Sequence, residues 1–158
     1  CAPAGTGLKG AVAKFKNAFG VNNVAHRDVE AILCGSLGAK KALSGLGYSE
    51  PSNHQDWPGM KEITWHLPRD RVIELWTDAL SEGVDQLRKS NGALKLLSCH
   101  LTLYCGRREE FYSPFNVNLF EEKVEKETIF KPSHLLLLID DIYDMYLRLT
   151  DKDQLFDT

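Results

Sequence analysis

The sequence predicts an α/β fold, with a parallel sheet flanked by helices. Three observations carry that expectation. Residues 135–139 are five consecutive apolar residues between Pro132 and the acids Asp140 and Asp141. Such a run, apolar on both faces and too short for a helix, reads as a buried parallel strand. Residues 68–91 repeat apolar side chains at helical spacing, and residues 93–105 then alternate as a strand does. Strand and helix candidates follow one another along the chain, which argues for parallel strands joined by crossovers.

Length and charge narrow the classes. The 158 residues suit one domain, 1–158, with a sizeable core. A net charge of -3 gives no general affinity for nucleic acid or an anionic membrane. The longest apolar run is too short to span a bilayer, and no signal-peptide pattern is visible. Cys1, Cys34, Cys99 and Cys105 have no CxxC spacing, so reduced thiols in a cytoplasmic protein are the simplest reading. The ends, at Cys1 and Thr158, suit a piece of a longer chain.

Residues 1–20 open with a small, glycine-rich turn and run into a helix. Val12, Phe15 and Phe19 share one stripe, Lys9, Lys14 and Lys16 lie off it, and Gly20 is a natural stop. A glycine-rich loop feeding a helix gathers free N–H groups and positive potential, with Lys9 adding a mobile charge; that is an anion site. In residues 21–47, Asp28 precedes Val29, Ala31, Ile32 and Leu33, which suits a short strand or a helix capped by Asp28. Asp28 with Glu30 reads as a solvated charge pair.

Residues 48–67 are polar and turn-rich, with Pro51 and Pro58-Gly59, and predict a long lid-like loop. His54, Trp57, Trp65 and His66 gather there. The aromatics are placed over a hydrophobic edge rather than a base, and the two histidines lack a metal spacing. In the helix of 68–91, Pro68 fits the first turn and Asp70 the positive end. Val72, Leu75, Trp76, Ala79, Leu80, Val84 and Leu87 form its apolar face, and Asn91-Gly92 ends it.

In the strand of 93–105, Leu97, Cys99, Leu101 and Leu103 share a face. His100 falls on the other face with Ser98, Thr102 and Tyr104, as a hydrogen-bonded core histidine. Arg107 and Arg108 follow at its carboxyl end, where guanidinium groups suit phosphate oxygens or pair on the surface with Glu109 and Glu110. Residues 111–130 pass into a charge-rich segment that predicts a helix. Beyond the acids at 140 and 141, Ile142, Met145, Tyr146 and Leu149 return to helical spacing.

Two stretches carry a family resemblance. Ala2-Pro3-Ala4-Gly5-Thr6-Gly7-Leu8-Lys9 resembles the phosphate-binding loop of P-loop NTPases and kinases, GxxxxGK[ST]. It departs from that pattern at Ala2 for the first Gly, Leu8 for Lys, and Lys9 for Ser or Thr. The apolar run with Asp140 and Asp141 is similar to a Walker B strand. The resemblance implies a P-loop α/β fold and binding of ATP or GTP with Mg²⁺. It implies kinase-like phosphoryl transfer to an unknown acceptor, or hydrolysis. Gly5, Thr6, Gly7 and Lys9 would cradle phosphate. Asp140 and Asp141 would hold the metal's water shell, and Arg107 or Arg108 would neutralise the transferring group.

A second alignment resembles adenylate-kinase-like proteins. There the stretch from Pro132 to Arg148 lies near a lid, Arg148 faces nucleotide, and the 97–105 strand takes the Walker B place. Asp140-Asp141-Ile142-Tyr143-Asp144 also fits DDxxD and so resembles the metal motif of terpene synthases, which are large all-α proteins. The missing Lys-Ser/Thr pair supports a further alternative, a non-catalytic interaction module on a degenerate P-loop fold.

Overall fold

The computed structural model describes residues 2–3, 8–48, 59–105, 110–114, 123–124, 127–128, 133–134 and 136. Within them the protein is α/β. Strand β1 is Ala2–Pro3, helix α1 Leu8–Phe19, strand β2 Val24–Asp28, and helices α2 and α3 are Val29–Gly35 and Leu37–Gly45. Helices α4, Gly59–His66, and α5, Arg69–Arg88, precede strands β3, Leu94–Ser98, and β4, His100–Cys105. Strands β5, Glu110–Tyr112, β6, Lys123–Val124, and β7, Glu127–Thr128, follow.

Each boundary has a local cause. Gly20 takes φ 84°, a left-handed value that ends α1 at little steric cost. The Asp28 carboxylate accepts from the Glu30 N–H at 3.1 Å, so β2 turns straight into α2. The expected short strand and the expected Asp28-capped helix are both present. Ser36 serves two helices: its N–H donates to the Leu33 carbonyl at 3.0 Å, and its hydroxyl accepts from the Ala39 N–H at 3.1 Å. Pro68, at φ -55°, sets the entry of α5 without needing a donor. At the other end of α5, Lys95 Nζ donates to the Arg88 carbonyl at 3.2 Å, covering an orphan acceptor.

The strands form separate small sheets, β1-β4-β5, β2-β3 and β6-β7, and pair in parallel where they are far apart in sequence. β2 pairs with β3 in parallel, from Val24 opposite Leu94 to Asp28 opposite Ser98. β1 pairs with β4 in parallel, with Ala2 opposite His100. Only Cys99 separates β3 from β4, so one long stretch of chain serves β2 first and β1 next. β5 corrects the all-parallel expectation, since it pairs with β4 antiparallel. Residues 106–109 are too few for a crossover helix, and a connection that short permits only a hairpin.

Helix α5 carries the core. Its predicted face, Val72, Leu75, Trp76, Ala79, Leu80, Val84 and Leu87, is buried throughout. Val29, Leu33, Ala39, Leu43 and Ile63 complete the cluster with Cys99 and Tyr112. Burying each large aliphatic or aromatic side chain contributes roughly 1.5–3 kcal/mol. Small residues set the approach of the layers. A Cβ on Gly83 would come within 3.0 Å of Leu97 and 3.1 Å of Ile32, so α5 sits close against β3 and α2. Arg27 of β2 donates from Nε to Gln86 Oε1 at 2.7 Å and ties the sheet to the same helix.

Three further expectations are corrected. Gly59–His66 is helix within the stretch read as a loop, because Ile63 and Thr64 find a buried face there. His54 and Trp57 lie outside the described residues, while Trp65 packs partly buried against the core. In the segment read as a charge-rich helix, β6 and β7 pair antiparallel, with Lys123 opposite Thr128 and Val124 opposite Glu127. Val124 and Thr128 are β-branched and suit a strand pair better than a helix. Leu136 is 57% exposed and lies in no strand, so at that position the run 135–139 is not a strand covered on both faces. Residues 137–139, and the helix expected after them, lie outside the described residues.

Candidate functional site

The polar residues converge where β2 ends and β3 passes into β4. Asp28 closes β2 opposite Ser98, and Glu30 follows two residues later in the first turn of α2. His100 opens β4 opposite Ala2 of β1, the strand that leads through the glycine-rich residues 4–7 into α1. β2 ends opposite Ser98, whereas β1 begins opposite His100, in the separate sheet that holds β4. In open parallel sheets, ligands bind beyond the carboxyl ends of the strands.

Two histidines hold this region. His100 Nε2 lies 3.2 Å from Glu30 Oε2, with the two side chains 17% and 32% exposed. The contact fits the expectation of a hydrogen-bonded histidine, and it corrects the view of Asp28 and Glu30 as a solvated pair. Asp28 is spent on its cap, and Glu30 is partly buried against His100. An ionised carboxylate only accepts, so His100 Nε2 donates to it. Two residues before Asp28 on β2, His26 Nε2 and Ser98 Oγ share a hydrogen bond at 2.9 Å.

Electrostatics follow from these contacts. The hydrogen bond from His100 holds the Glu30 carboxyl below its usual range, aided by the positive charges of His100 and Lys9, while burial acts the other way. Burial lowers the His26 pKa, partly offset by the Asp28 charge. Burial pushes the Cys34 thiol up to about 12, and Glu30 and Asp28 add to that. Cys99 is raised by burial too. Thiols held protonated are poor nucleophiles.

Of the residues singled out from sequence, Lys9 is described. It is exposed in the first turn of α1, and its charge reaches both Glu30 and Cys34. Gly5, Thr6, Gly7, Arg107, Arg108, Asp140, Asp141 and Arg148 lie outside the described residues. Among the described residues, no three His, Cys, Asp or Glu side chains gather to hold a metal. Among them, too, no helix is long and apolar enough to cross a membrane. The link between Glu30 and His100 escaped sequence reading because 70 positions separate them. The one local signal was the acid pair ahead of an apolar helical stretch. Comparison with protein families, with curated proteins and with solved structures finds no match to this chain.

Proposed function

We propose that the chain binds a nucleoside triphosphate, ATP or GTP with Mg²⁺, and carries out phosphoryl transfer or hydrolysis. The observation that supports this reading is the order β1, glycine-rich residues 4–7, α1, with β1 parallel to β4. That order presents a helix start and the Lys9 ammonium at the end of a sheet strand, an arrangement suited to phosphate. β1 runs parallel to β4, which lies in the 97–105 stretch that takes the Walker B place in the second alignment. Gly5, Thr6, Gly7 and Lys9 are the residues proposed for phosphate. Under the first alignment Asp140 and Asp141 are proposed for the metal's water shell and Arg107 or Arg108 for charge on the transferring group; under the second, Arg148 is proposed to face the nucleotide.

Calorimetric titration with ATP and GTP, with and without Mg²⁺, tests this. Micromolar binding that needs Mg²⁺, weakened in Asp140→Asn with the fold retained, supports the reading. Absence of binding to the folded protein defeats it and favours the interaction module, which the departures at Ala2, Leu8 and Lys9 already motivate.

A further inference from the structure

We propose that Asn91-Gly92, between α5 and β3, is a modification site at which the chain deamidates by itself, with water as co-reactant. The products are aspartate and isoaspartate at position 91. The site lies apart from the residues named for nucleotide and does not rest on that reading.

The reaction needs the Gly92 nitrogen to reach the carboxamide carbon of Asn91. Three features decide whether it can. The attacking residue must put no side chain in the way, its N–H must be free of a hydrogen bond, and the backbone between them must be able to swing. Gly92 supplies the first, since glycine has no Cβ and the widest backbone freedom. The structure supplies the other two. Ser90 ends the anchored part of α5, its N–H and its hydroxyl donating to the Leu87 carbonyl at 3.1 and 2.7 Å. β3 starts at Leu94. Asn91 and Gly92 lie between them in no helix or strand, and Asn91 is exposed. Among the described residues, no hydrogen bond holds the Gly92 N–H or the Asn91 carboxamide. Lys89 and Lys95, both exposed, flank the pair. Their charge favours the deprotonated nitrogen and the product carboxylate.

Asn17 and Asn22 are exposed too, so exposure does not separate the three. Asn17 lies inside helix α1. The nitrogen that would attack Asn22 belongs to Asn23, whose N–H donates to the Gly20 carbonyl at 2.9 Å. Both are held where Asn91 is loose.

The step balances without oxidation or reduction. The Gly92 nitrogen gives its proton to solvent, and its electron pair forms a bond to Asn91 Cγ. The bond from Cγ to Nδ2 breaks, and the nitrogen leaves with a proton as ammonia. Water then opens the cyclic imide by adding to one of its carbonyl carbons, where the bond to the Gly92 nitrogen breaks. Opening at Cγ gives aspartate. Opening at the main-chain carbonyl carbon gives isoaspartate, whose backbone runs through Cβ and is longer by a methylene. There is little room for it: a Cβ on Gly92 would already lie 2.6 Å from the Ala25 nitrogen and 2.7 Å from the Ala25 Cβ. The same connection sets Leu94 opposite Val24, so isoaspartate loosens the start of the β2–β3 ladder.

The test keeps the folded full chain in mildly alkaline buffer, then unfolds it, digests it with trypsin and follows peptide 90–95 by chromatography and mass spectrometry. Asn17 and Asn22 serve as references within the same molecule. Asn91 should lose its amide about tenfold or more faster than either, because theirs react only on local opening. Both acids should appear, with isoaspartate in excess, and Asn91→Gln should keep its amide because the larger ring closes more slowly. The isolated isoaspartyl protein should show a lower urea midpoint than fresh protein. Loss at Asn91 no faster than at Asn17 and Asn22 overturns the proposal. Aspartate without isoaspartate overturns the imide step, and an unchanged midpoint overturns the coupling to β2–β3.

Discussion

His100 Nε2 and Glu30 Oε2 meet at 3.2 Å although 70 positions separate them in the chain. The contact joins the start of β4 to the first turn of α2. Removing the imidazole leaves a partly buried carboxylate without its donor. His100→Ala is therefore expected to destabilise the fold by about 1–3 kcal/mol, read as a lower urea midpoint with the m-value unchanged.

The same pair sets the acid limb of stability. Glu30 has a lower pKa folded than unfolded. Its stabilisation is therefore present above its unfolded pKa and is lost as pH falls through the folded value. Urea midpoints measured downward from pH 6 should decline for the parent. Glu30→Gln should decline less steeply below about pH 4.3, the ordinary glutamate value. A parallel decline in both proteins would refute the linkage.

His26 contributes in the same direction at higher pH. Burial lowers its pKa, so the folded protein favours the neutral ring. Stability from this group is present above the unfolded value near pH 6.5 and falls as pH drops through the folded value. His26→Gln should remove that upper decline, and NMR titration of the imidazole should show protonation below the free-histidine range.

Close approaches of the backbone give a set of contrasting glycine substitutions. A Cβ on Gly92 would lie 2.6 Å from the Ala25 backbone nitrogen, which cannot move aside as a flexible side chain can. Gly92→Ala should cost about 1–3 kcal/mol. Gly83→Ala meets only the side-chain ends of Leu97 and Ile32, at 3.0 and 3.1 Å, and should cost less. Gly35 and Gly45 have open space at the Cβ position and helical backbone, so alanine there should be neutral or stabilising by up to about 1 kcal/mol. Thermal unfolding of the four variants ranks them.

Trp76 offers a sharper test of the core. It is fully buried, and its indole Nε1 has no hydrogen-bond partner among the described residues. Trp76→Ala should cost about 3–5 kcal/mol. Trp76→Phe loses some packing but also removes an unsatisfied donor, so its cost should be well below that of alanine. Equal costs would show that the indole nitrogen is satisfied in solution.

Legibility followed the range of the interaction. Helix α5 could be read from its own residues, since its apolar stripe is a local pattern and every member of that stripe is buried. The Asp28 cap was legible for the same reason. The antiparallel β5 was hidden because pairing direction depends on connection length and on which neighbour is free. Helix α4 was masked by the turn-forming residues that flank it, and its stability comes from burying Ile63. The meeting of Glu30 with His100 had no local signature at all, because the register of β2 on β3 and the pairing of β1 with β4 create it together.

The long stretch divided at Cys99 also bears on how the chain folds. Its first half waits for β2, whose pairing closes a loop from Val24 to Leu94, and its second half waits for β1, from Ala2 to His100. Closing such loops costs entropy before any ladder bond repays it. The α2, α3 and α5 helices lie inside the β2–β3 loop and can associate first, shortening the effective span. The order of assembly then runs from a helical nucleus to β3 against β2, with β1 docking last. Nascent chains would thus acquire the candidate site only as the final event of folding.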